Sequence, residues 1–175
     1  MDEKYSVWFV PGEDSDISRI LNEVVSDLAN RFNAPLFVPH ITLQPDVDQP
    51  KDQVLKGVQE ICKVTKPFVV KLGMMDYTDG LFQTLVSRVE INPELIHINK
   101  MIRNTFNRHE DPLYTPHISL LYKKGLENAI KKELILEYEN ILKNLNFPVR
   151  DIHIYTSVPQ IEKWEFVGKI NFAPI

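Results

Sequence analysis

Two short stretches carry the residues best suited to chemistry: FVPHITLQ at 37–44 and YTPHISLLY at 114–122. Each reads aromatic, any residue, Pro, His, Ile, hydroxyl residue, Leu. In a strand, residues i and i+2 share a face. His40 therefore projects with Thr42, and His117 with Ser119, while Ile41, Leu43, Ile118 and Leu120 project to the other side, toward a core. A neutral imidazole can take a proton from attacking water, and a protonated one can give a proton to a departing oxygen, because the unperturbed pKa is ~6.5. The hydroxyls of Thr42 and Ser119 can donate to non-bridging oxygens on which negative charge builds. Such a set could open a phosphodiester without a metal, each acid–base group supplying roughly 10²–10⁴-fold. One His-x-Thr in a strand is ordinarily a satisfied, half-buried histidine. Two in matched contexts, half a chain apart, are hard to obtain by accident.

Other chemistries lack their residues. No helix carries His-Glu-x-x-His spacing, and Cys62 stands alone, so no metal site is expected. There is no Gly-x-Ser-x-Gly elbow and no Gly-rich phosphate loop, and no cofactor is expected. The stretch 76–80 reads as a turn rather than a calcium loop.

The elements that must hold the two motifs follow from periodicity. Residues 5–10 read as a strand stopped by Pro11-Gly12. Ser15 or Asp16 caps a helix with Ile17, Ile20, Leu21, Val24, Val25 and Leu28 at helical spacing. A strand at 36–43 contains Pro39, a helix spans 51–64, and a strand spans 67–72. The second half repeats the order: a strand at 81–91, a helix capped by Asn92 with Pro93 at its first position, a strand at 114–122, a helix at 126–145 and a strand at 149–158. A last strand is expected at 164–172. The expected fold is α+β: a bilobal, pseudo-twofold arrangement of two antiparallel sheets with helices on the outer faces and the two Pro-His strands facing each other. No Gly/Ser-rich linker divides the halves, so residues 1–175 read as a single domain with a shared core.

Composition narrows the partners. The hydrophobic share of 43% and charged share of 25% are those of a globular domain. No apolar run approaches the ~20 residues that cross a bilayer, and the N-terminus is not a secretion signal. A net charge of −4 argues against a grip on long nucleic acid, where phosphate contacts dominate. A lone cysteine fits a reducing compartment, read as the cytoplasm. A monomer with a small anionic substrate, no membrane and no long nucleic acid is the expectation.

The motifs resemble those of the two-histidine (2H) phosphoesterases, and within that superfamily the chain is most similar to the plant and fungal cyclic phosphodiesterases that act on ADP-ribose 1″,2″-cyclic phosphate. The likeness extends over YSVWFVP at 5–11, FVPHITL at 37–43, LFQTLV at 81–86, TPHISLLY at 115–122 and KWEFVGKINF at 163–172. It implies an RNA-ligase-like bilobal fold and metal-independent opening of a cyclic phosphate. It implies His40 and His117 as the acid–base pair, Thr42, Ser119 and Tyr122 as phosphate-binding groups, and Trp8 and Phe82 beside the nucleoside. Plant relatives carry several cysteines; with Cys62 alone, a redox-controlled loop is not expected here. Alternation by itself would send Tyr122 to the face opposite His117, and leaves Trp8 either in a cleft or in the core.

The remaining candidates read as structural. Trp164 is expected in the core, His97 on the surface, His109 at a helix C-terminus, His153 facing solvent, and Lys131-Lys132 on a solvated face, while Lys123 could steer a phosphate. Two other functions stay open: hydrolysis of RNA ends bearing 2′,3′-cyclic phosphate, and nucleotide binding without catalysis.

Overall fold

The computed structural model describes residues 4–174. Its strands are β1 (Lys4–Phe9), β2 (Ile41–Val47), β3 (Phe68–Asp76), β4 (Leu85–Val89), β5 (His117–Leu121), β6 (Asn146–Val149), β7 (Asp151–Ser157) and β8 (Phe166–Asn171). Its helices are α1 (Asp16–Phe32), α2 (Lys51–Val64), α3 (Pro93–Thr105) and α4 (Asn128–Leu142). All pairings are antiparallel, in the order β6-β3-β4-β5-β2-β1-β7-β8. This is the expected α+β architecture, except that the two expected sheets are the halves of one curled eight-stranded sheet, β2-β1-β7-β8 and β6-β3-β4-β5. They join through one residue pair, Ile41 with Ile118.

The lobes do not coincide with the halves of the sequence. β3 comes from the first half yet pairs with β4, and β7 comes from the second half yet pairs with β1. Each half thus lends a strand to the other lobe. Neither sheet can be completed by half of the chain, which is why no linker separates them. Helices α1 and α4 pack on β5 and β3 of one lobe; α2 and α3 pack on β7, β8 and β2 of the other. The apolar sides of both sheets meet these helices in one cluster that includes Phe9, Leu21, Leu28, Ile41, Leu72, Leu95, Ile118 and Ile154.

Local chemistry sets the helix ends. Ser15 caps α1 by accepting from the Ser18 N–H, and Asn92 caps α3 by accepting from Leu95 with Pro93 in the first turn. Asn33 ends α1 at φ 47°, a left-handed residue type as expected at this position. Helix α3 stops at Thr105, so His109 lies beyond it in an exposed turn, while His97 is exposed as expected.

Three strand boundaries differ from the sequence reading. β2 starts only at Ile41, because Pro39 has no N–H for a ladder and the segment before it is engaged by the His40 side chain. Residues 81–83 form a 3-10 turn before β4, tied down by Thr84, whose hydroxyl contacts the Gly80, Leu81 and Lys123 carbonyls. The strand expected at 149–158 is two, β6 and β7, because the chain crosses between lobes at Arg150. Among the described residues, no helix is long and apolar enough to cross a membrane.

Candidate active site

The Ile41–Ile118 pair lies at the seam of the two lobes, and both side chains are fully buried on the core side. Continuing its antiparallel register by one residue each way sets His40 across from Ser119 and Thr42 across from His117, all four on the opposite face. Facing side chains in such a pair stand about 4.5–5.5 Å apart at Cβ, and diagonal ones about 7–8 Å. The histidines are the diagonal pair, a separation that leaves room for one phosphate between them. Their proximity also registers electrostatically: charge on His117 lowers the pKa of His40.

The repeated Pro-His dipeptide orients each ring. His40 Nδ1 is 2.7 Å from the Val38 carbonyl, and His117 Nδ1 is 2.7 Å from the Thr115 carbonyl. A proline holds the residue before it in extended backbone, so this carbonyl always points at the imidazole two residues on. With a carbonyl as partner, Nδ1 carries the proton, and among the described residues Nε2 has no partner in either ring.

Burial dominates the charge state. It lowers the pKa of His40 to about 4, against the opposing Val38 carbonyl. His117 is lowered too, first by burial and then by the Arg88 guanidinium, with the Thr115 carbonyl opposing. Both rings are neutral in the resting protein at pH 7. A stability effect follows for His40. Above pH 6.5 folded and unfolded chains both hold it neutral. As pH falls below 6.5 the unfolded chain gains a proton that the folded one refuses until about pH 4. Stability present above 6.5 is therefore lost across that window, by about 3 kcal/mol. Urea unfolding between pH 7 and pH 4 is expected to show this loss in the wild type and a smaller one in His40→Gln; parallel curves would contradict it.

Trp8 is 2% exposed and lies on the cleft side, not in the main core. Its indole stacks on His40 at 3.6 Å and on Tyr155 at 4.1 Å, and its Nε1 donates to Ser6 Oγ. With near-parallel rings at His40 and Tyr155 it braces His40, and what it leaves open lines the cavity beside Trp164. Trp164, expected in the core, instead stands in the cleft, edge-on to His40 at 6.1 Å and to Tyr122 at 6.1 Å, and near-parallel to Phe82 at 6.3 Å. It lies between the end of the 3-10 turn at Ile161–Lys163 and β8, where the Val158 carbonyl accepts from its Nε1. A cavity of about 450 Å³ continues past Trp164 along Phe37, Val38, Tyr155 and Glu162.

The two hydroxyls differ. Among the described residues Thr42 Oγ1 makes no hydrogen bond, so it is free to donate, and Thr42 is half-buried. Ser119 Oγ donates to the Phe82 carbonyl at 2.7 Å and lies against the Tyr122 hydroxyl. Tyr122 reaches the cleft because β5 ends at Leu121, which frees the next residue from alternation. There it stacks on Phe37 at 3.9 Å, and burial pushes its phenol pKa up, keeping it a donor. Phe82 is half exposed at the cleft rim.

Two further expectations are corrected. Lys131 is buried, not solvated: its Nζ donates to the Thr78 carbonyl, Asp79 and Asn128, holding the turn that precedes Phe82. No local pattern signals Thr78 and Asp79, which come from the β3–β4 connection. His153 does face away from Ile152 and Ile154, but it is buried under Phe166 with Nε2 3.1 Å from Asp151. Sequence reasoning also missed Arg88, the partner of His117 across the β4–β5 ladder. Alternation with Val86 and Glu90 could have found it. Among the described residues no three His, Cys, Asp or Glu side chains gather to hold a metal.

A sequence profile of the 2′-5′ RNA ligase superfamily matches residues 7–159. This chain belongs to the 2′-5′ RNA ligase superfamily. That superfamily holds the two-histidine phosphoesterases, as the paired motifs led us to expect. Within the superfamily, the chain is 26% identical to the cyclic phosphodiesterase of Arabidopsis thaliana over 175 residues, covering 97% of this chain and 96% of the relative. Its fold is similar to that of TT0787 from Thermus thermophilus, with a TM-score of 0.69 at 15% identity, covering 97% of each chain. It is also similar to E. coli LigT complexed with 3′-AMP, with a TM-score of 0.60 at 12% identity, covering 99% of this chain and 100% of LigT. At such identities the two structures speak for the superfamily fold alone.

Proposed function

We propose that this protein hydrolyses cyclic phosphates to phosphomonoesters without a metal, with ADP-ribose 1″,2″-cyclic phosphate and nucleoside 2′,3′-cyclic phosphates as its substrate class. The observation that carries this reading is the Ile41–Ile118 pair, which turns two imidazoles with free Nε2 atoms and two hydroxyls toward one space. The Arabidopsis relative's name and the nucleotide held by LigT support the substrate class.

In the proposed reaction the anionic phosphate sits between the rings. Its charge favours the protonated form of a neighbouring imidazole, reversing the effect of burial on one of them. The neutral ring takes a proton from water as the water oxygen bonds to phosphorus. The protonated ring gives its proton to the ring oxygen as the P–O bond breaks in line. Thr42, Ser119 and Tyr122 donate to the non-bridging oxygens. Desolvation by the surrounding aromatic rings strengthens every one of these interactions.

The nucleoside lies against Phe82 and Trp164 in this reading. A base between two rings needs roughly twice the ~3.5–4.0 Å carbon contact distance; the present 6.3 Å is slightly less, and half-exposed Phe82 can move outward. Stacking is worth about 1–3 kcal/mol per base. Phe82→Ala and Trp164→Ala are therefore expected to raise KM about 5- to 100-fold with little change in kcat. A kcat loss at constant KM would place these rings elsewhere in the reaction.

The protein is proposed to act as a cytoplasmic monomer. Cys62 is buried, and its thiol is pushed up to about 12 by burial, which suits a structural residue rather than a reactive thiol. The direct test follows product formation from adenosine 2′,3′-cyclic phosphate and from a cyclic-phosphate oligonucleotide. Turnover of the mononucleotide, a bell-shaped pH–rate curve and full activity in EDTA are expected. Activity lost in EDTA and restored by zinc would remove the two-histidine mechanism; faster turnover of the oligonucleotide would move the substrate to RNA ends.

A further inference from the structure

The pseudo-twofold that relates His40 to His117 and Thr42 to Ser119 does not extend to the strands beside them: Trp8 faces Thr42 where Val86 faces Ser119, and a charged difference lies next to the histidines. Phe9 pairs with Ile41 and Ser87 pairs with Ile118, so the next residues, Val10 and Arg88, occupy equivalent positions next to His40 and His117. One is an apolar side chain and the other a guanidinium. The acid–base pair and its hydroxyls are symmetric and need no such difference. A substrate, however, is not symmetric, and an unequal pair of flanking residues can read its two ends.

Arg88 is held in a definite pose. Its Nε and Nη2 donate to the same oxygen of Asp76, at 3.0 and 2.5 Å. The other Asp76 oxygen accepts from the Tyr77 N–H at 2.8 Å, so the carboxylate is fixed in turn. This uses one edge of the guanidinium. Among the described residues Nη1 has no partner, which leaves the Nη1/Nη2 edge unused on a side chain about one-third exposed. That edge has the parallel donor geometry suited to a phosphate, and the Asp76 contact removes the ordering cost of presenting it. On the outer strands of the same wall, Lys71 and Glu90 pair with each other at 2.9 Å and leave Arg88 free of competition. The opposite wall is aromatic, with Trp8, Tyr155 and Trp164. The cleft is thus polarised: flat apolar groups on one side, an anion-binding fork on the other.

We propose that Arg88, positioned by Asp76, forms a second anion subsite that binds a phosphate other than the one that reacts, so that the protein prefers cyclic phosphates carrying a further phosphate group. This rests on the hydrolytic reading of the same cleft. The subsite lies one strand beyond His117, on the side away from the seam where the reacting phosphate sits. Asp76 offsets the charge of the guanidinium and so moderates the retention of a product that carries two phosphates.

The test compares kcat/KM for adenosine 2′,3′-cyclic phosphate with and without a 5′-phosphate, in wild type, Arg88→Met, Arg88→Lys and Asp76→Asn. The ratio of the two values is the readout, because any general effect of a substitution on folding or on His117 cancels in it. The wild-type ratio is expected near ten or above. It should fall toward one in Arg88→Met, take an intermediate value in Arg88→Lys, and rise in Asp76→Asn, where an amide oxygen still receives the guanidinium but no longer offsets its charge. A ratio unchanged in Arg88→Met overturns the subsite. Calorimetric binding of 3′-AMP and of adenosine 3′,5′-bisphosphate to the same four proteins separates the two proposals. If the wild type turns over neither substrate but binds the bisphosphate more tightly in an Arg88-dependent way, the subsite stands and the hydrolytic reading falls. If turnover is found but the bisphosphate shows no Arg88-dependent advantage, the reverse holds.

Discussion

Replacing either His40 or His117 with Gln is expected to lower kcat for a cyclic phosphate by about 10²–10⁴-fold. Each ring has one nitrogen committed to a carbonyl and the other free, so each can serve as one proton-transfer group. Glutamine fills much of the space without titrating. Each single variant should also lose one limb of the bell-shaped pH–rate curve. The double variant should be far less impaired than the product of the single losses, because the two groups act in one step. Retained binding of 3′-AMP and an unchanged circular dichroism spectrum would show that the cleft survives. The reading fails if both single variants stay within a few-fold of the wild type. It also fails if the double variant loses the full product of the two effects, since independent contributions are not what a shared proton relay produces.

The hydroxyl pair should give the next largest effect, and an unequal one. Removing a donor aimed at developing negative charge costs about 10²–10³-fold in kcat. Among the described residues Thr42 has no other partner, and valine matches its shape, so Thr42→Val should lower kcat by roughly that factor with KM nearly unchanged, while Thr42→Ser should retain most activity. Ser119 is different because its hydroxyl also holds the Phe82 carbonyl. Ser119→Ala should lower kcat and raise KM together, as the turn carrying Phe82 loosens. Steady-state kinetics on the two variants separates these cases. Equal behaviour of both, or loss of KM alone in Thr42→Val, would mean that the hydroxyls bind the ground state rather than the transition state.

Much of this protein was legible residue by residue. The caps at Ser15 and Asn92, the helical spacing of α1 and the bounds of α2 are local matters, settled by backbone propensity within a turn or two. Alternation in the Pro-His strands was enough to place imidazole and hydroxyl on one face and Ile41 and Ile118 on the other. Trp164, Lys131 and His153 differ from the sequence reading for a common reason: each has its environment decided by residues outside its own helix or strand. Lys131 is satisfied by Thr78 and Asp79, Trp164 by the Val158 carbonyl and rings from both lobes, and His153 by Phe166 above it. A lysine in a helix looks the same locally whether water or a turn of backbone receives its protons.

What the chain alone determined is the inventory and its handedness: two imidazoles, two alcohols, their shared faces, and the prolines that aim each ring. Tertiary structure decided the rest. The exchange of β3 and β7 between lobes welds the halves, and the Ile41–Ile118 pair fixes the register that brings the inventory together. The same assembly buries His40 enough to lower its pKa to about 4, stacks Trp8 on His40 and Tyr155, and sets Arg88 beside His117 with one edge free. The physical reason is range: propensity and alternation act over a few residues, whereas register, burial and electrostatic coupling are set by groups that meet only when the two lobes close on one core.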